Sequence, residues 1–413
     1  MLKVLLYFFI GVLPLCYMAF YLGRKKARTG ELESGERFHS RPAQYGWYTV
    51  IWMAVPSLVI SFIFTILGSS KIFAVPYSMH ISTLLVLAAG GLWFSLKNIG
   101  SDLKARNFIE NTIKVMLVTA SLVSIITTIG IVISILFESM KFFSHVNFFD
   151  FITGTKWSPD TAFLEGAGRD GSSASKPEFG SVPIFAGTFM VTLIALFVAV
   201  PIGLLSAIFM SEYATPKMRG LAKPILEILA GIPTVVYGFF AAITVSPLVV
   251  QTAEMLGFEA DYTNALSPGL VMGIMIIPFV SSLSDDVINA IPQNLREGSL
   301  ALGMTRSETM KHVIIPAALP GIISAVLLAL SRAIGETMIV VMAAGLRPNL
   351  TWNPLEGMTT VTVRIVDALT GDQSFDSLET LSAFGLAFVL LMVTLILNIV
   401  SSVVIRKFRK QYD

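Results

Sequence analysis

Residues 285–316 read DDVINAIPQNLREGSLALGMTRSETMKHVIIP. This polar stretch separates two apolar blocks, roughly 266–285 and 319–345, each about the 20 residues that a helix needs to cross hydrocarbon. Arg296, Glu297 and Leu300 fall in a first helical segment, Gly303 supplies a turn, and Ser307 to Ile315 form a second, amphipathic segment. A short helix of mixed polarity lying on a membrane face needs something to dock against. An ordinary interfacial loop helix is the other reading of the same residues.

The apolar blocks continue outward in both directions. About nine are visible, near 2–22, 47–67, 80–96, 113–137, 183–211, 221–248, 266–285, 319–345 and 380–405, divided by Gly, Pro or charge clusters. Only 14% of the 413 residues are charged and 54% are hydrophobic, with a mean hydropathy of +0.75, which excludes a soluble domain of this length. The expected fold is therefore an all-α membrane protein with about nine transmembrane helices.

Charge gives the topology. Lys and Arg cluster in Arg24–Arg41, Lys97–Lys114, Lys217–Lys223, Arg296–Lys311 and the tail Arg406–Lys410. The segment 68–79 holds only Lys71, 249–265 has no basic residue, and 346–379 has Arg347 and Arg364. With nine spans, all the strongly basic loops fall on one side. The positive-inside rule then places the N-terminus outside and the C-terminus in the cytoplasm of an inner-membrane protein. Arg24-Lys25-Lys26 follows the first apolar run directly, favouring a retained anchor over a cleaved signal. Leu13-Pro14-Leu15-Cys16 approaches a lipobox, but bulky Leu15 before the cysteine argues against lipidation. A single cysteine excludes an internal disulfide.

The polar, basic linker from Lys97 to Asn111 divides an accessory region, 1–110, with about three spans, from a core, 111–413, with six. In the loop 138–182, Gly166, Gly168, Gly171 and the Ser172-Ser173-Ala174-Ser175 run predict a mobile centre. Trp157-Ser158-Pro159 there reads either as a surface for a partner or as a headgroup-level anchor.

Nothing in the chain reads as catalytic machinery. His39, His80, His145 and His312 are far apart, no His-Glu-x-x-His occurs, and no metal site is expected. There is no Gly-x-x-x-x-Gly-Lys-Ser/Thr, so no P-loop binds ATP here, and any energy from ATP must arrive through another subunit.

In the 285–316 stretch, Glu297-Gly298-Ser299, three residues, Gly303, nine residues and Val313-Ile314-Ile315-Pro316 follow the spacing of the coupling loop of ABC importer permeases. Phe179 to Thr188 (FGSVPIFAGT), Leu229 to Gly238 (LAGIPTVVYG), Ile274 to Pro278 (IMIIP) and Ser331 to Met338 (SRAIGETM) extend the likeness. Residues 113–410 thus resemble the PstC-type permease of the phosphate ABC transporter, Gly335-Glu336-Thr337-Met338 being closer to PstC than to PstA. Two departures stand out. Glu297-Gly298-Ser299 replaces Glu-Ala-Ala, and three spans precede the usual six.

The resemblance implies an ABC type I importer (MetI-like) core of six helices that takes phosphate from an external binding protein. It implies a PstA-like second permease, two PstB-like ATPase subunits holding ATP and Mg, and a PstS-like binding protein. The bilayer is the remaining partner, with no nucleic acid and no cofactor in this chain. Glu297, Gly298, Ser299, Gly303 and Pro316, in a coupling loop of about 286–316, are the implied contact with the ATPases.

Arg332 stands at the midpoint of the block 319–345, where an ionisable side chain costs several kcal/mol unless it pairs or faces water. Glu336, four residues on, is expected on the same helix face, within pairing reach. A guanidinium offers two parallel charge-assisted hydrogen bonds to an oxyanion, so Arg332 and Glu336 are candidates for the translocation path, with a structural ion pair as the alternative. Pro233 and Pro278 sit within apolar blocks and predict helix breaks near the path or simple packing bends. A permease for another oxyanion, a stand-alone secondary transporter and a nutrient-sensing scaffold are the competing functions.

Overall fold

A computed structural model of the chain describes residues 2–35, 37–69, 77–159, 177–370 and 377–409. The centre of the 138–182 loop, with Gly166, Gly168, Gly171 and residues 172–175, lies outside them. The chain forms two compact units, Met1–Gly130 and Ile131–Asp413. Among the described residues it is all-α apart from one pair of two-residue strands.

The first unit contains α1 (Leu2–Ser34), α2 (Pro42–Ser69), α3 (Tyr77–Asn98) and the start of α4 (Ala105–His145). Helices α1, α2 and α3 pack in sequence, and Gly91 lets α3 approach so closely that a Cβ there would strike the Trp52 carbonyl. Tyr45 and Tyr48 are buried with Ala27, Ile99 and Ala105, and the Tyr45 hydroxyl donates to the Leu103 carbonyl at 2.9 Å. That bond ties the turn after α3 to the start of α2.

The second unit continues with α5 (Phe148–Thr153), β1 (Trp157–Ser158), β2 (Glu178–Phe179) and α6 (Val182–Ile208), which ends in a π turn at Phe209–Tyr213. Next come α7 (Pro216–Gly231), α8 (Thr234–Phe240), a π turn at Ala241–Val245, α9 (Ser246–Met255) and α10 (Leu266–Ala290). Then follow α11 (Gln293–Ala301), α12 (Arg306–Thr309), a π turn at Met310–Ile314, α13 (Ile315–Ile334), α14 (Met338–Ala343), α15 (Val361–Thr370) and α16 (Leu378–Arg409).

Among the described residues seven helical stretches are long and apolar enough to cross a membrane: Ile81–Asn98, Ala105–His145, Val182–Tyr213, Thr234–Met255, Leu266–Ala290, Arg306–Ile334 and Leu378–Val403. Helices α1 and α2 cover the remaining two apolar blocks. In lipid every backbone N–H and C=O must be satisfied within the segment, so apolar runs of this length become helices.

The core of the second unit is the seam between α6 and α10, where Val191, Ala195 and Ala199 meet Val271, Met272, Ile276 and Val280. Ala329, Ala333, Ile339 and Val340 close it from α13 and α14. At one end of the unit, Phe142, Phe151, Trp157 and Phe179 form an edge-to-face aromatic cluster beneath the strand pair, in which Trp157 lies opposite Phe179. Trp157 is thus not offered as a partner surface. Burial against Phe151 and Phe179 holds it inside.

Three other expectations change. The block 221–248 is not one span: α7 is a separate amphipathic helix with no buried residue, and the spanning helix begins at Thr234. Pro233 forces the preceding Ile232 out of helical conformation (φ −67°, ψ 130°) and itself caps α8, so it separates two helices rather than kinking one. The segment Ser307–Ile315 is not a free interfacial helix either. It runs through the π turn into α13, and Pro316, with no N–H to donate, stands directly after that turn as the second residue of α13.

The third change concerns Arg332 and Glu336. Helix α13 stops at Ile334, Gly335 closes it, and a new helix starts at Met338, so the two residues do not share a helix face. Glu336 instead accepts from the Met338 N–H at 3.2 Å, at the start of α14.

Candidate functional site

The 285–316 stretch forms a braced corner. Pro292 is the N-cap of α11, whose last turn ends in a left-handed Gly303 (φ 85°). The Gly303 N–H donates to the Leu300 carbonyl at 3.0 Å and the Met304 N–H to that of Ser299 at 3.2 Å, the double bond of a Schellman end. Thr305 then caps α12 in a reciprocal box: its Oγ1 accepts from the Glu308 N–H and its own N–H donates to Glu308 Oε2 at 2.8 Å. Ser299, buried, sets its Oγ 2.9 Å from Thr309 Oγ1 and locks the two arms together.

Arg296 fixes the corner to the bundle. Its guanidinium reaches Glu212 Oε2 at 3.2 Å and donates to the Ile288 carbonyl at 2.7 Å. Glu297, Gly298, Leu295, Leu300 and Leu302 remain exposed, Leu302 at 86%. One face of α11 is therefore anchored and the other is an uncovered apolar and acidic surface. The Gly298 Cβ position has no neighbour within 4 Å.

Beside this corner lies an ion cluster. Asp285 is fully buried, and Arg219 Nη2 approaches its two carboxylate oxygens at 3.1 and 2.9 Å. Lys223 Nζ is 2.7 Å from Asp285 Oδ2, and Asn289 Nδ2 donates to Oδ1 at 2.8 Å. Amphipathic α7 is thus clasped to α10 by charge, its own apolar residues being at most partly buried.

Above the cluster a cavity of about 230 Å³ opens between α7, α10 and α13, lined by Lys223, Glu227, Pro278, Phe279, Ser282 and Arg332 among others. The Arg332 guanidinium lies 5.8 Å from the centre of the Phe279 ring, near the middle of α10. Arg332 is itself exposed, and a cation on an aromatic face gains roughly 0.5–1 kcal/mol at such a site. Among the described residues Arg332 has no ion pair. Of the path candidates, Arg332 and Pro278 share this cavity, and neither Glu336 nor Pro233 lines it among the described residues.

Glu336 belongs to another polar layer. Its carbonyl accepts from Thr362 Oγ1 at 2.9 Å, and Thr359, Thr360 and Thr362 are buried where the chain after α14 re-enters the bundle. Gly187 on α6 makes room for that segment, since a Cβ there would strike the Thr359 carbonyl. The Val361 N–H donates to Thr188 Oγ1 at 3.0 Å.

Residues 199–411, more than half of the chain, match the family model described as the binding-protein-dependent transport system inner membrane component. The chain belongs to that family. Residues 9–79 of this permease match a second model, described as a phosphate ATP-binding cassette transporter. The probable ABC transporter permease protein YqgH of Bacillus subtilis is 32% identical over 284 residues, covering 68% of this chain and 85% of the relative. The phosphate transport system permease protein PstC 1 of Mycobacterium tuberculosis is 31% identical, covering 63% and 83%. The PstC protein of Haemophilus influenzae is 28% identical, covering 74% and 96%. The resemblance to PstC-type permeases is thereby borne out, and the permease is a multi-pass inner-membrane protein.

Sequence reasoning missed Glu212 as the partner of Arg296. The partners of Asp285, Arg219 and Lys223, lie on α7, a helix hidden inside an apolar block. The Pro at 233 was the available signal.

Proposed function

We propose that this permease translocates inorganic phosphate in an ATP-driven importer. The observation that carries the coupling half is α11: a short helix locked to the bundle by Arg296 and Ser299, with Leu295, Leu300, Leu302 and Glu297 left uncovered. An exposed apolar patch on a rigid corner is a docking surface for another subunit. Phosphate as cargo is supported by the names of the relatives and by a guanidinium in the last turn of α13 that has no ion pair among the described residues, which suits an oxyanion.

In this reading two PstB-like ATPase subunits bind ATP and Mg and grip Glu297, Gly298, Ser299, Gly303 and Pro316, or the surfaces that these shape. A PstA-like subunit completes the pathway, and a PstS-like protein delivers phosphate at the opposite face. The N-terminus lies outside, and the C-terminus and α11 lie in the cytoplasm. Residues 1–110 form an accessory region and 111–413 the permease core. Closing of the ATPase pair moves α11, and the corner passes that motion to α6 and α10 through Arg296, shifting the bundle between inward and outward openings. No bond is made or broken in this chain.

The test is reconstitution of the four-component importer in liposomes with Leu302→Asp together with Glu297→Lys. Loss of ATPase co-purification and of ATP-driven phosphate uptake is expected. Normal assembly and pumping would refute the coupling role, and uptake of sulfate or molybdate in place of phosphate by the unmodified complex would refute the cargo.

A further inference from the structure

Two cations line the cavity between α7, α10 and α13, and their situations differ. Arg332 has no carboxylate partner among the described residues and rests on the Phe279 ring. Lys223 is bound to Asp285, but Asp285 does not depend on it: Arg219 covers both carboxylate oxygens and Asn289 donates to one. Lys223 is also 3.8 Å from exposed Asp286. A flexible four-carbon ammonium whose counter-ion is otherwise satisfied is free to exchange partners, which Arg219, spread over both oxygens, is not.

Asp285, fully buried, is satisfied by Arg219 alone, and the second cation on it, Lys223, also lines the cavity; exposed Asp286, 3.8 Å from Lys223, brings the cluster as a whole to neutrality. Among the described residues Glu227 is the single carboxylate lining the cavity, set against Lys223 and Arg332, and Ser282 adds a hydroxyl. At about 230 Å³ the space admits a small tetrahedral anion with some water. The remaining walls are apolar, from Met210, Leu226, Ala230, Met275, Pro278 and Phe279, and Glu227, Ser282 and Arg332 are exposed, so an anion can enter.

We propose that this cavity is a binding site for one free tetrahedral oxyanion on its way through the permease, held between Arg332 on α13 and Lys223 on α7. Lys223 receives the anion by exchanging it for Asp285, and the return of Lys223 to Asp285 releases it past the end of α10. This rests on the translocation reading above and adds Lys223 as a second substrate contact, with α7 as the element that carries it.

Uptake of radiolabelled phosphate by the complete importer in liposomes tests this, using Lys223→Gln, Lys223→Arg and Glu227→Gln. Lys223→Gln is expected to lower uptake at least about ten-fold at unchanged complex assembly and ATP hydrolysis, with Lys223→Arg restoring most of it. Glu227→Gln, which removes the lining carboxylate and leaves the Asp285 cluster untouched, is expected to lower the phosphate concentration for half-maximal uptake. If Lys223→Gln fails to assemble, the Glu227→Gln shift alone decides. Uptake and half-saturation within about two-fold of the unmodified complex for every assembling variant would overturn the site while leaving the permease assignment standing. An unmodified complex that moves no phosphate would instead sink the cargo reading. A Lys223→Gln defect seen only in liposomes containing phosphatidylglycerol, and not in phosphatidylcholine alone, would assign the site to a lipid headgroup and overturn the proposal.

Discussion

Arg296 and Glu212 face each other across 3.2 Å, each only 13% and 14% exposed, and they join the loop helix α11 to the π turn that ends α6. The same guanidinium donates to Ile288 at the end of α10, so three elements meet at one side chain. Removing one partner of a largely buried pair leaves the other charge desolvated, at a cost of about 3 kcal/mol. Arg296→Ala should therefore lower the thermal midpoint of the purified complex and loosen the link between ATP hydrolysis and uptake. Adding Glu212→Gln to Arg296→Ala should cost little more, and a double-mutant cycle measures that coupling.

The two glycines of the 297–303 motif should respond in opposite directions. Gly303 has φ 85°, where an L side chain costs about 1–2 kcal/mol, so Gly303→Ala should destabilise the corner by that amount. Gly298 is mid-helix, with nothing within 4 Å of its Cβ position, so Gly298→Ala should stabilise α11 by roughly 0.5–1 kcal/mol. Denaturation of the two variants in detergent gives both signs. Equal effects would mean that the turn is not formed as described.

Asp285 is the counter-charge for two cations on another helix. Asp285→Ala strands Arg219 and Lys223, each about one-third exposed, so the loss should lie near the low end for broken buried pairs, about 3 kcal/mol. Its structural signature is loosening of α7, because that helix has no fully buried residue and only part-buried apolar contacts besides this clasp. Hydrogen exchange over 216–231 should rise in Asp285→Ala and stay low in Lys223→Gln, where Arg219 keeps the clasp.

The features readable in sequence were those set by local rules. Span lengths follow from hydrocarbon thickness, and Gly303 follows from the left-handed turn that separates α11 from α12. What escaped depended on contacts between distant segments. Arg219 and Asp285 are 66 residues apart, and nothing near either one names the other. The end of α13 at Ile334 was hidden because residues 335–345 continue the same apolar composition, and only packing of α14 against α8 makes the break at Gly335 worthwhile. Trp157 was misplaced for a similar reason, since the Phe142, Phe151 and Phe179 that bury it come from three other elements.

That break bears on Arg332 and Glu336, which chain spacing pairs and the helix end separates. If Glu336 held Arg332 by charge, Arg332→Gln and Glu336→Gln would be strongly coupled. The structure gives Glu336 a different task, accepting the Met338 N–H, which the amide oxygen of Gln also performs. Arg332→Gln should then lower phosphate uptake about 10- to 100-fold through the loss of charge-assisted bonds, while Glu336→Gln retains most activity. The two effects should add to within about 0.5 kcal/mol in a cycle of initial uptake rates. A coupling several times larger would restore the pair and remove Arg332 from the list of free oxyanion ligands.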